Sequence, residues 1–131
     1  MEYPLMPDLP NNLPELAPVV QAPLTTHVFV CTGPSCTKNN SQATLEAFWA
    51  ELAQRNLLYG KRGSMEGRVI VTTCGSVGLC QVGPAVLIYP EGIWYTGVQP
   101  TDVPEIIDQH LVGGQPVRRL LAMQWPTPEP T

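Results

Sequence analysis

Short apolar runs bounded by turn residues alternate with two helical stripes along this chain. His27-Val-Phe-Val-Cys31 is rich in β-branched and aromatic residues and is followed by Thr-Gly33-Pro34-Ser, which predicts a first strand. Asn39, Asn40 and Ser41 offer helix N-caps, and Leu45, Phe48, Trp49 and Leu52 then recur at helical spacing as far as Arg55 and Asn56. After a polar loop over 60–67, Arg68-Val-Ile-Val-Thr-Thr73 predicts a second strand whose continuous apolar run suits a central position. Ala85-Val-Leu-Ile-Tyr89 predicts a third, and Pro90-Glu91-Gly92 turns it into Ile93-Trp-Tyr-Thr96 as a hairpin. Thr101 is placed to cap a last helix with Val103, Ile106, Ile107 and Leu111 as its buried stripe, ended by Gly113 and Gly114. The order β-α-β-β-β-α predicts an α/β fold: one mixed four-stranded sheet with two main helices.

The ends of the chain read differently. Of 15 prolines, Pro4, Pro7, Pro10, Pro14, Pro18 and Pro23 fall in the first 24 residues, a spacing expected to exclude helix and central strand and to leave an extended arm. Residues 25–117 form the expected domain. In the C-terminal tail, 118–131, Leu120, Leu121, Met123 and Trp125 are too apolar to stay solvated, so they are expected to pack on the domain, on a second subunit or on a partner. At 131 residues the chain holds one domain.

Charge narrows the class of function. Charged residues are 14% of the chain and the net charge is −4, which argues against a basic nucleic-acid binder. The apolar runs are too short for a membrane-spanning helix. Residues 1–23 have no Lys or Arg and no apolar core, so they do not resemble a secretory signal, and a cytoplasmic location with reduced thiols is expected.

Four cysteines then carry the candidate chemistry. Cys31 and Cys36 are spaced C-x4-C after the first strand; Cys74 and Cys80 are spaced C-x5-C after the second. Parallel strands of a β-α-β unit end on one side of the sheet, so both segments are expected to meet there. Their Gly-rich surroundings (Gly33, Gly75, Gly78, Gly83) argue against inert buried thiols. The spacing leaves three occupants open. An iron–sulfur cluster takes four thiolates on a core wider than a zinc knuckle; zinc takes four at shorter spacings; thiol–disulfide redox needs no metal. The thioredoxin dithiol C-x-x-C is absent, and His27 and His110 are not beside cysteines and read as structural or surface residues.

Several segments together resemble a known family, the thioredoxin-like [2Fe–2S] ferredoxins, and the related iron–sulfur subunit beside the flavin subunit of NADH dehydrogenases. They are Val28-Phe-Val-Cys31 with Gly33-Pro34-x-Cys36; Val69-x-Val-Thr-Thr-Cys74; and the long run from Gly78-Leu79-Cys80 through Gly83-Pro84 to Tyr89-Pro90-Glu91-Gly92-x-Trp94-Tyr95. The resemblance spans roughly 25–117. It implies a thioredoxin-like fold, a [2Fe–2S] cluster held in two loops near the surface, one-electron transfer and a homodimer; the sequence shows no substrate-pocket motif, nucleophile–base pair or phosphate loop, so an electron-transfer protein rather than an enzyme is expected. Cys31, Cys36 and Cys80 match the family's ligands position by position. The family's second pair is usually C-x3-C, which would put the third ligand at Ser76; this chain departs there. A thiolate binds iron far better than a serine hydroxyl, so the expected ligands are Cys31, Cys36, Cys74 and Cys80.

The expected partners are a reductase and an electron acceptor, met through charge and therefore salt-sensitive. Lys38, Lys61, Arg62 and Arg68 are the domain's cations nearest the cysteines in sequence, placed to favour a reduced cluster or simply to be solvated. Trp94 and Tyr95 are expected to pack the hairpin rather than to carry electrons.

Overall fold

The computed structural model describes residues 10–33, 40–75 and 83–125. Strands β1 (Thr26–Cys31), β2 (Val69–Cys74), β3 (Val86–Tyr89), β4 (Ile93–Tyr95) and β5 (Leu121–Gln124) form one sheet in the order β2-β1-β3-β4-β5. β1 runs parallel to β2, and the other pairs are antiparallel. The expected α/β class with a mixed sheet is observed, but with five strands rather than four. The extra strand comes from the apolar tail: Trp125 N–H donates to the Gly92 carbonyl (2.8 Å) and Thr96 N–H to the Leu120 carbonyl (3.0 Å). A tail of such composition gains more by completing ladder hydrogen bonds on β4 than by remaining in water.

The arm also differs from expectation. Helix α1 (Leu13–Leu16) and a 3-10 turn (Pro18–Gln21) stand in it, because Pro14 and Pro18 occupy first-turn positions where a missing N–H costs nothing. Helix α2 (Ser41–Gln54) follows the residues 34–39 that are not described. It starts after Asn40, whose φ of 79° is left-handed, a conformation Asn tolerates. Leu45, Phe48 and Leu52, three to four residues apart, line its buried face. They meet Val28 and Val30 of β1, Val71 of β2, and Val86, Ile88, Ile93 and Tyr95 of β3 and β4 in one core.

The last helix, α3 (103–112), is entered through a 3-10 turn, Pro100–Asp102. Its cap is Gln99 rather than Thr101: the Gln99 N–H donates to Asp102 Oδ2 at 2.9 Å. From Ile106 to Val112 the helix widens to π geometry. The wider turn carries His110 into the core, 1% exposed, and leaves Leu111 half-buried, where the helical stripe had Leu111 inside. His110 is satisfied there. Val117 N–H donates to Tyr95 Oη (2.9 Å), Tyr95 Oη lies 2.8 Å from His110 Nδ1, and His110 Nε2 lies 3.0 Å from Glu91 Oε2. Burial pushes the Tyr95 phenol up to about 12, so it keeps its proton and packs the hairpin as expected.

Candidate metal centre

Side chains of a strand alternate between faces, and in-register residues on neighbouring strands share a face. Cys31 is the register partner of Cys74 across the parallel β1–β2 pair. Neighbouring strands lie about 4.8 Å apart, so two such sulfurs reach one site whose metal–sulfur bonds are about 2.3 Å long. The β-α-β geometry thus brings two of the four predicted cysteines together. Cys36, Cys80 and Ser76 lie outside the described residues, as do Lys38 and Gly78.

Cys31 ends β1, as in the predicted strand, and Cys74 terminates β2 rather than sitting in the loop that follows, a correction to the sequence expectation. The ladder runs on past them: Thr32 N–H donates to the Cys74 carbonyl at 2.8 Å, and Thr32 Oγ1 donates to the same oxygen at 3.2 Å. On the other side, Cys31 N–H donates to the Ala85 carbonyl at 3.0 Å. The backbone of Cys31 is therefore clamped between β2 and the start of β3. Thr32 was missed from sequence; its only signal was its place one residue past the end of a parallel strand. Cys31 is buried and Cys74 half-buried. Cys31 Sγ lies 3.6 Å from the Gly75 carbonyl, where a thiol donates its proton. A metal thiolate has no proton to give, so metal binding replaces that hydrogen bond.

The surroundings revise two further expectations. Among the described residues, nothing lies within 4 Å of where a Cβ on Gly75 would stand, so none of them needs the room that its missing side chain leaves. Among the described cations, Arg68 is near the cysteines in sequence but not in space. Arg68 precedes β2 and Cys74 ends it, six residues and roughly 20 Å apart at ~3.3 Å per residue. An exposed charge at that distance is beyond the Debye length of about 8 Å and does little for the site. Arg62 instead stacks over the Trp49 ring, 4.1 Å from its centroid. His27 is structural: its ring stacks on Phe29 with centroids 3.9 Å apart, and Nε2 lies 2.8 Å from Thr72 Oγ1. Burial holds its pKa below the usual imidazole value.

Donor chemistry and fold both agree with known proteins. No protein-family model matches the chain. It is 35% identical over 103 residues to a 2Fe-2S ferredoxin of Aquifex aeolicus, covering 72% of this chain and 86% of that one. It is 37% identical over 102 residues to a 2Fe-2S ferredoxin of Clostridium pasteurianum, covering 72% and 92%. Among solved structures, a thioredoxin-like [2Fe-2S] ferredoxin from Aquifex aeolicus superposes with a TM-score of 0.65 at 33% identity, covering 82% of this chain and 99% of that one. A cysteine-to-serine variant of that ferredoxin gives a TM-score of 0.63 at 34% identity, covering 76% of this chain and 99% of that one. With a mixed sheet of the same fold, two cysteines in register at its parallel edge and this level of identity over nearly the whole relative, the chain belongs to the thioredoxin-like [2Fe–2S] ferredoxin family.

Proposed function

We propose that this protein is a small one-electron carrier with a single [2Fe–2S] cluster held by Cys31, Cys36, Cys74 and Cys80. The observation that carries the reading is the in-register pair Cys31–Cys74 on adjacent parallel strands. When bound, the cluster supplies a one-electron couple. The chain's own contribution is rigidity. Ladder hydrogen bonds on both sides of Cys31, and the Thr32–Cys74 bonds, fix two sulfur positions before any metal arrives. A site that does not rearrange between redox states lets an electron pass at low cost.

The protein acts as a carrier rather than an enzyme, in the cytoplasm, as a homodimer, between a reductase and an acceptor. Within it, residues 25–117 are the redox domain, 1–24 the arm and 118–131 the tail. No helix among the described residues is long and apolar enough to cross a membrane. With a net charge of −4, docking to partners is electrostatic and weakens with salt. The test is stopped-flow oxidation of the chemically reduced protein by a basic one-electron acceptor such as cytochrome c. The expected result is one electron delivered per chain, with a rate that falls as ionic strength rises. Two-electron delivery, or a rate indifferent to salt, contradicts it.

A further inference from the structure

β2 is an edge strand, and its outer side is only partly covered. On the inner side, the Cys74 carbonyl accepts from Thr32 N–H and the Arg68 carbonyl from Thr25 and Thr26, so the even-numbered residues bond to β1. The odd-numbered residues turn their backbone groups outward. Val69 does so: its N–H donates to the Leu57 carbonyl (3.0 Å), and its carbonyl accepts from Tyr59 N–H (2.8 Å). Residues 57–59 are thus the stub of a sixth strand, parallel to β2 at Leu58 and Val69. The stub leaves the edge at Gly60, whose φ of 115° turns the chain away. Beyond it, the outward N–H and C=O groups of Val71 and Thr73 have no backbone partner among the described residues.

Unpaired groups at a sheet edge are a template for another strand, and proteins usually blunt them with charge, proline or a bulge on the strand itself. Val69–Cys74 has no charged residue and no proline, and its register with β1 is unbroken. The charge stands instead beside the gap. Trp49, Leu58, Tyr59, Lys61, Arg62 and Val71 line a hollow of about 230 Å³ there. Arg55 pairs with Glu51 and Asp108, and Arg119 with Asp102 and Glu105, but neither Lys61 nor Arg62 has a carboxylate partner among the described residues. Glu46 lines the neighbouring hollow with Arg62 and makes no ion pair with it.

In a chain of net charge −4, two such cations beside an open strand edge are a local reversal of sign. The occupant they suit is extended and acidic. Its backbone would bond to Val71 and Thr73, its carboxylates would meet Lys61 and Arg62, and an apolar side chain would fill the hollow beside Trp49. The gap also leads to the metal centre: Cys74 follows Thr73, and Val71 is about 10 Å from it along the strand. A segment laid here brings its owner against the cysteines.

We propose that the open edge of β2 at Val71 and Thr73 is a docking site for an extended acidic segment of a redox partner, added to the sheet as a strand and held by Lys61 and Arg62. This deepens the electron-carrier reading and rests on it for the partner's class; the strand site itself does not depend on the cluster. It supplies a contact for an acidic partner, beside the basic ones that the overall charge attracts.

Amide hydrogen exchange of the full chain, read by mass spectrometry with the visible spectrum recorded on the same samples, tests it. The probe is a capped hexapeptide of alternating glutamate and valine, and its lysine–valine counterpart is the control. The glutamate peptide is expected to slow exchange across β2, and the lysine peptide to leave it unchanged. Lys61→Glu with Arg62→Glu, both on exposed side chains, is expected to weaken the glutamate peptide's binding by about tenfold or more. Methylating the peptide's backbone nitrogens removes its strand donors without changing its charge, and is expected to abolish the protection. Protection that survives methylation, or that both peptides give alike, overturns the proposal. So does a β2 whose exchange neither peptide alters, or an affinity that the charge reversal leaves unchanged. A colourless protein whose β2 is protected keeps the strand site and overturns the electron-carrier reading; a brown protein whose β2 is unaffected does the reverse.

Discussion

Replacing Cys74 with serine removes or severely weakens the visible absorption of the purified protein, while Ser76→Ala leaves it unchanged. Cys74 ends β2 opposite Cys31, and its carbonyl is fixed by two bonds from Thr32. The sulfur is therefore held at the parallel edge of the sheet by the strand itself. Serine at the same position would have to ionise a hydroxyl far less acidic than a thiol, whose ordinary pKa is about 8.5, before it could bind iron comparably. Circular dichroism of the variant separates loss of ligation from loss of the fold. A second pair spaced C-x3-C, counted back from Cys80, would fall on Ser76 here. The double change Cys74→Ala with Ser76→Cys restores that register and is expected to recover part of the cluster. An intact spectrum in Cys74→Ala alone means that the ligand set is wrong.

The pairing of Cys31 with Cys74 was legible because a parallel β-α-β unit must end its strands on one side. What sequence did not carry was where the strands stop. The glycine after Cys74 suggested a loop from that residue on, yet β2 includes Cys74, and backbone pairing through Thr32 extends the ladder past Cys31. Sequence proximity also misled for Arg68: a strand separates its ends by its full length, so a residue six positions away lies across the sheet. The stripe of α2 was legible in Leu45, Phe48 and Leu52 because an α-helix keeps its period. In α3 the widening after Ile106 broke that period, and nothing in Ile106–Val112 announces it; the result was His110 inside in place of Leu111. The fifth strand was hidden for another reason. As an edge strand its residues are largely exposed, so Leu121–Gln124 shows no alternation of apolar and polar positions and reads as a tail.

Deleting residues 118–131 is expected to destabilise the fold by about 4 kcal/mol. The loss sums one nearly buried leucine, Leu120, at about 2 kcal/mol, and the ladder bonds Thr96–Leu120 and Trp125–Gly92 at about 1 kcal/mol each. Arg119 pairs with Asp102 and Glu105 on the surface and adds little. At this chain length the loss corresponds to a fall of roughly 10–15 °C in Tm. Gly92→Ala tests the same contact without truncation. Gly92 has φ of +72°, and a Cβ there would collide with the Trp125 carbonyl, so the strand must be displaced. Thermal melts followed by circular dichroism read both. An unchanged Tm in the truncated protein means that the tail is not part of the sheet; if electron transfer to the partner then drops, it is a docking element instead.

The central claim is that the cysteines at the parallel edge hold iron and sulfide. Its most direct test is the visible and electron paramagnetic resonance spectrum of anaerobically purified protein, with iron, zinc and acid-labile sulfide measured on the same sample. The predicted result is a brown protein with about two irons and two sulfides per chain, whose reduction by one electron produces a paramagnetic signal. A colourless protein with one zinc per chain, or with titratable thiols and no metal, contradicts the account.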